Sequence, residues 1–251
     1  MKKRVLTASL LLACSTNVFA DAIGVYVGAS IWDQKAEGTF GSRNDQLDFN
    51  LADQQQMNYS IAVEHPLPFI PNAKITSTSL ETDGTVTLGS TFDFDGQTFD
   101  SSSEAMANFD VSFVDYTLYY ELFDNDLISF DFGITGRDFD GSVSIEGNVN
   151  GSANSAGIST REVIPMLYAR TQIGLPLTGV NFFAEGNFLS IKDHTIYDYQ
   201  AGISYELVEN MAIDINLTLG YRELKLELED LNNLYTDITF SGYFAGVVVH
   251  F

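Results

Sequence analysis

Nine stretches of this chain alternate apolar and polar residues with a period of two, and none carries a charge on its apolar face. One runs Ile23, Val25, Val27, Ala29, Ile31; others run Ile213, Ile215, Leu217, Leu219, Tyr221 and Tyr243, Ala245, Val247, Val249, Phe251. Period two is the signature of a β-strand whose two faces meet different surroundings. The opposite faces hold all the charge: Glu64, Asp115, Glu121, Asp131, Glu185, Asp198, Glu206 and Asp214, with Arg137, Arg170 and Arg222. Such a chain folds either as a soluble sandwich, with the apolar faces inside, or as a membrane barrel, with the apolar faces on lipid.

Context favours the barrel. The short connections (65–72, 123–126, 175–179, 208–211) alternate with long ones near 33–54, 83–108, 139–161 and 224–237, plus a modest one near 190–195. Short turns at one end and long loops at the other are the plan of an outer-membrane barrel. Tyr and Phe gather at strand ends (Tyr119, Tyr120, Phe123, Tyr197, Tyr199, Tyr221, Tyr243), where an aromatic girdle belongs. A tenth strand near 73–82 alternates poorly and is inferred from connectivity. The expectation is a transmembrane, antiparallel, up-and-down β-barrel of about ten strands, with short periplasmic turns and long extracellular loops. No apolar run after residue 20 is long enough for a membrane-spanning helix. The net charge of -22 speaks against a nucleic-acid partner, whose phosphates require a basic surface.

The first 20 residues read as a signal peptide: basic Lys2, Lys3 and Arg4, an apolar run over 5–13, then Val18 and Ala20 before Asp21. Residues 21–251 then form one barrel domain. An alternative places Cys14 in a lipoprotein box, "LLAC". Cleavage after Ala20 would leave no cysteine, so disulfides would not contribute to stability.

These features resemble the small outer-membrane β-barrels of Gram-negative bacteria, from "DAIGVYVGASIW" to the closing "GYFAGVVVHF". "DAIGVYVGA", "YYELFDN" and "VIPMLYAR" are similar to an uncharacterised outer-membrane protein family of marine gammaproteobacteria. The resemblance implies a cell outer-membrane location among lipid and lipopolysaccharide. It also implies that Tyr243, Ala245, Val247, Val249 and Phe251 form the signal read by the barrel-assembly machinery.

Three kinds of chemistry compete. "TFDFDGQTFDS" puts Asp93, Asp95 and Gly96 at calcium-loop spacing, but Thr91 and Ser102 stand where the first ligand and the bidentate acid belong. Neither a metal site nor a cofactor is expected, only loose attraction of divalent cations to acidic loops. A barrel-rim hydrolase would need Asp193 and His194, yet adjacent residues on a strand face opposite ways. A narrow channel for small solutes, cationic ones included, would draw on the excess of inward acids. The same acids could instead pair with Arg137, Arg170 and Arg222 as a plug. The expectation is a structural barrel or passive channel and not an enzyme, the alternatives being the hydrolase and a non-conducting surface protein that binds cations or lipopolysaccharide.

Overall fold

A computed structural model describes residues 23–251 apart from 126, 192–193, 211–212 and 232–233. The signal-peptide segment with Cys14 and Ala20, and also Asp193, lie outside the described residues. The strands in chain order are β1 (Gly24–Ser42), β2 (Asp45–Leu47), β3 (Gln54–Glu64), β4 (Asn72–Thr78) and β5 (Glu81–Thr87). Next come β6 (Phe92–Phe94), β7 (Gln97–Phe99), β8 (Glu104–Asp110), β9 (Phe113–Asp124) and β10 (Ile128–Val149). The last are β11 (Ser152–Leu175), β12 (Val180–Ile191), β13 (His194–Glu209), β14 (Asp214–Leu231) and β15 (Leu234–His250).

Ten of these close an antiparallel ring, β1-β3-β4-β9-β10-β11-β12-β13-β14-β15 and back to β1. The closing seam pairs Val27 with Val249 and Ile31 with Ala245, and Val25 and Phe251 exchange both backbone hydrogen bonds. Closure is what a lipid environment demands, because an open sheet edge would leave N–H and C=O groups with no partner.

The strands run far beyond the segments read from the alternation. β10 has 22 residues and β11 has 24, whereas about 9–11 tilted residues cross the hydrocarbon. Much of what the sequence suggests as long loops (33–54, 83–108, 139–161, 224–237) is β-structure. The poorly alternating tenth strand is β4, and the chain continues from it into β5.

The reason lies in an inversion of polarity within single strands. Along β14 the outward residues are Leu217, Leu219 and Tyr221, then Glu223, Lys225 and Glu227. The inward ones are Asn216, Thr218 and Arg222, then buried Leu224, Leu226 and Leu228. β1 does the same: Val27 and Ile31 face out, then Asp33, Lys35 and Glu37, while inward Gly28 and Ser30 give way to buried Trp32, Ala36 and Phe40. On β10, outward Phe130, Phe132 and Ile134 lead to Asp138 and Asp140, and inward Asp131 and Arg137 lead to Phe139, Val143 and Ile145. The pleat cannot change which way a side chain points, so the surroundings must change instead. Below the inversion the outer wall faces lipid. Above it the wall faces water, and the interior takes over as an apolar core. Exposed Tyr116, Tyr199, Tyr221 and Tyr243 mark the boundary, as aromatic girdles do at a membrane interface. Tyr119 does not join them, for it is buried in the lumen with its hydroxyl donating to Glu64.

The upper half is therefore a lobe with its own core. Phe40 stacks on Phe49 at 4.8 Å and lies 5.3 Å from Phe109, which in turn approaches Phe240 at 6.1 Å. β5 and β8 pair with each other, β8 pairs with upper β10, and the chain around Ala52 follows β5 through its N–H to Asp83. The calcium-like "DFDG" is a hairpin joining β6 to β7. Asp95 and Gly96 have φ of 44° and 74°, the positive pair that a type I′ turn requires. Asn150 and Gly151 repeat this at the β10–β11 tip with 52° and 73°. Asp100 ties the two hairpins together, its carboxylate accepting from the backbone N–H of Asn150 (3.1 Å) and Gly151 (2.7 Å).

Candidate functional site

Inside the membrane-spanning half lies a polar cavity of about 360 Å³. Glu64, Asp115, Glu121, Asp131, Arg170, Glu185, Asp198 and Arg222 line it, together with Asp124, Lys74, Phe183, Phe244 and Val248. Arg137 stands at its upper end and is fully buried. Glu206 and Asp214 are not in the cavity wall. Asp214 sits at the turn end, 3.1 Å from His250 Nδ1, and Glu206 donates its N–H to Gly179 in the adjoining turn. The His250 ring stacks on Tyr26 at 4.2 Å and 8°.

Two layers of charge cross the lumen. In the upper one, Arg137 donates from Nε and Nη2 to the two oxygens of Asp115, both at 2.8 Å, and from Nη2 to Asp198 at 2.7 Å. Arg222 grips Asp198 through Nε at 2.8 Å and Nη2 at 2.7 Å. Arg137 and Asp115 are cross-strand partners on β10 and β9, whereas Asp198 and Arg222 come from β13 and β14, so the Arg137–Asp198 bond is a strut across the barrel. Forked guanidinium–carboxylate pairs of this kind are short, directional and strong. Arg137 also lies over the Phe113 ring at 3.6 Å and Arg222 over Trp32 at 4.8 Å. Asn58 turns its amide oxygen to Arg222 Nη1 and its nitrogen to Thr78 Oγ1 at 2.6 Å. Two cations and two anions balance within the layer, as burial of this depth requires.

The lower layer joins β4 to β12. Lys74 Nζ donates to Glu185 at 2.6 Å, and Arg170 Nη1 stands 3.9 Å from the other Glu185 oxygen. Thr117, Thr135 and Asn187 form a chain of 2.8 and 2.6 Å hydrogen bonds beside it. Toward the turn end, exposed Glu121 and Asp124 have no such cation among the described residues, and the cavity reaches the mouth there.

Above the upper layer the lumen ends. Trp32, Phe113, Phe139, Met166, Ile196, Leu224 and Phe240 belong to one continuous buried cluster. Together, the charged strut and this cluster form a seal. Lys74 escaped the sequence reading because β4 alternates poorly. Trp32 could have been found there, since it continues the inward register of Gly28 and Ser30. On the outer wall at the base of the lobe, the hydrogen bond from Arg161 at 3.0 Å holds the Asp138 carboxyl below the usual carboxylate range. The ring Nδ1 of His194 accepts the Glu229 backbone N–H at 3.3 Å.

Trp32 is the chain's only tryptophan, so its fluorescence reports on the seal directly. Iodide is expected to quench the folded protein weakly and the unfolded one strongly. Arg222→Ala, which uncovers the indole, should fall between them. Equal quenching of folded and unfolded protein would show that the seal is open.

No protein-family profile matches the chain, and no curated protein does. Solved structures match its fold. The outer membrane protease OmpT from Escherichia coli is 9% identical with a TM-score of 0.53, covering 94% of this chain and 98% of that one. The transport unit of the autotransporter AIDA-I from Escherichia coli is 6% identical with a TM-score of 0.38, over 98% and 96% of the two chains. Neisserial surface protein A is 12% identical with a TM-score of 0.29, over 90% and 96%. The fold is that of the transmembrane β-barrels, and the likeness to OmpT is one of architecture.

Proposed function

We propose that this protein is a non-conducting barrel of the Gram-negative outer membrane that holds a water-exposed lobe beyond the bilayer. The carrying observation is the seal: a charged strut capped by an apolar core that fills the lumen above it. The short-turn end faces the periplasm, so the polar cavity opens only to that side. Bulk lipid and lipopolysaccharide surround the apolar belt. The barrel-assembly machinery reads the outward Tyr243, Ala245 and Val247 together with Val249 and Phe251. Acidic groups on the lobe attract divalent cations loosely. Catalysis is not part of this reading: His194 is engaged with the Glu229 backbone.

Planar-bilayer recording of the purified, refolded barrel tests the proposal. The expected result is no stepwise current at any potential. A steady cation-selective conductance would overturn it in favour of the narrow channel that the excess cavity acids would otherwise suit.

A further inference from the structure

Above the end of β12, β11 has a neighbour on one side only. From Ser152 to Ile164 it pairs with β10 in unbroken register, and among the described residues no strand pairs with its other side. The Gly174 N–H reaches Leu127 on the β10 side. Alternation therefore turns the even-numbered residues of β11 toward β10 and the odd-numbered ones away from it. Pro165, odd-numbered and without an N–H, stands where the ladder to β12 has stopped. Ala153, Gly157, Ser159, Arg161 and Val163 thus direct both N–H and C=O to the side where no strand of the described residues pairs. Only the Ser155 N–H is taken locally, by the Asn154 side chain at 2.9 Å.

An edge like this is ordinarily blocked by charge, proline or a bulge. From Ser152 to Thr160 there is no charged residue and no proline. On the outward face of the neighbouring β10 stand the exposed carboxylates Asp140 and Glu146, opposite Arg161 and Ser155 of β11, whereas Asp138 is already held by Arg161 at 3.0 Å. Beside the edge, Ile158 and Ile164 are only half-buried, although they pack against the lobe core.

We propose that this edge accepts an extended peptide as an added β-strand, one that alternates basic with apolar residues. Backbone pairing supplies the affinity and alternate side chains the selectivity, as in strand addition generally. The apolar side chains would cover Ile158 and Ile164, and the basic ones would face the acidic wall. A second copy fits poorly. Each copy carries a net charge of -22, and two barrels in one membrane run β11 in the same direction, which forbids antiparallel pairing. The inference rests on the lobe standing clear of the membrane, but not on the absence of conductance, so the two tests fail separately.

The test is fluorescence anisotropy of a labelled, short lysine–valine alternating peptide with the folded barrel in detergent. Ser159→Pro removes a free-edge N–H without touching the β10 ladder and should weaken binding about tenfold or more. The same peptide N-methylated at alternate residues should lose binding to the unaltered protein, which keeps the test decisive if Ser159→Pro fails to fold. A glutamate–valine peptide should bind at least about tenfold more weakly. Binding that ignores both Ser159→Pro and N-methylation would be electrostatic capture only and would overturn the proposal. Undetectable binding of the lysine–valine peptide, or concentration-dependent self-association through the same edge, would overturn it equally.

Discussion

Arg137→Ala should lower the unfolding free energy of the barrel by about 3–5 kcal/mol, the usual cost of removing one partner from a buried ion pair. The guanidinium is fully buried and makes three short bonds to two carboxylates. Asp198 would keep Arg222, but Asp115 would be left in the seal without a cation. The loss should therefore fall mostly on Asp115, and the double variant Arg137→Met with Asp115→Leu should recover much of it, because an apolar pair of similar volume is often no worse than a buried ion pair. Guanidinium titration of the folded, fast-migrating form on unheated gels measures both. If the double variant were as unstable as Arg137→Ala, the strut's role would be something other than charge balance.

The lower half of the fold was legible in the sequence because its alternation is pure. Ile213 to Tyr221 puts every apolar residue on one face, and Tyr243 to Phe251 departs from that only at the inward Phe244 and Val248, so strand, register and closure could all be read from them. The upper half was obscured by the same rule. In "YRELKLELE" the alternation continues without a break, but the apolar residues have moved to the other parity. A search for a constant apolar face stops at Tyr221 and reads the remainder as loop. The site was legible as a set of inward charges but not as a geometry. Asp198 and Arg137 are 61 residues apart, and only the curvature of the closed ring brings them together. Glu206 and Asp214 share the polar face of their strands, yet they lie too near the turn end to reach the cavity. Parity gives direction, and height along the strand decides the neighbours. The "DG" of 95–96 was misleading as a cation loop for a similar reason: at that spacing an aspartate before glycine serves a hairpin turn equally well.

The inversion itself can be tested on one strand, β14, by moving the same charge across it. Leu219 faces out in the lower half and is 55% exposed, whereas Leu226 faces in above the boundary and is 2% exposed. Leu219→Arg would place a cation against lipid two residues below the boundary at Tyr221, at a cost between the about 2–4 kcal/mol of the bilayer midplane and the about 0–1 kcal/mol of the interface. It should act on insertion: refolding into vesicles should fail, while the variant remains foldable in detergent, whose looser belt admits water. Leu226→Arg would bury the same cation in the lobe core, where none of the surrounding residues in the cluster can pair with it. Insertion should then proceed, and the lobe should open, giving rapid proteolysis above Tyr221 with a protected fragment below. Glu227→Leu, facing water next to Leu226, should leave both steps nearly unchanged. The opposite assignment, with Leu226→Arg blocking insertion and Leu219→Arg exposing the lobe, would place the bilayer on the wrong half of the barrel. Lipid selects apolar residues for the outside and water selects them for the inside, so a strand that crosses from one to the other must reverse its pattern where it leaves the membrane. Arg222 and Tyr221 mark that place on β14, the arginine turned inward to the strut and the tyrosine outward to the interface.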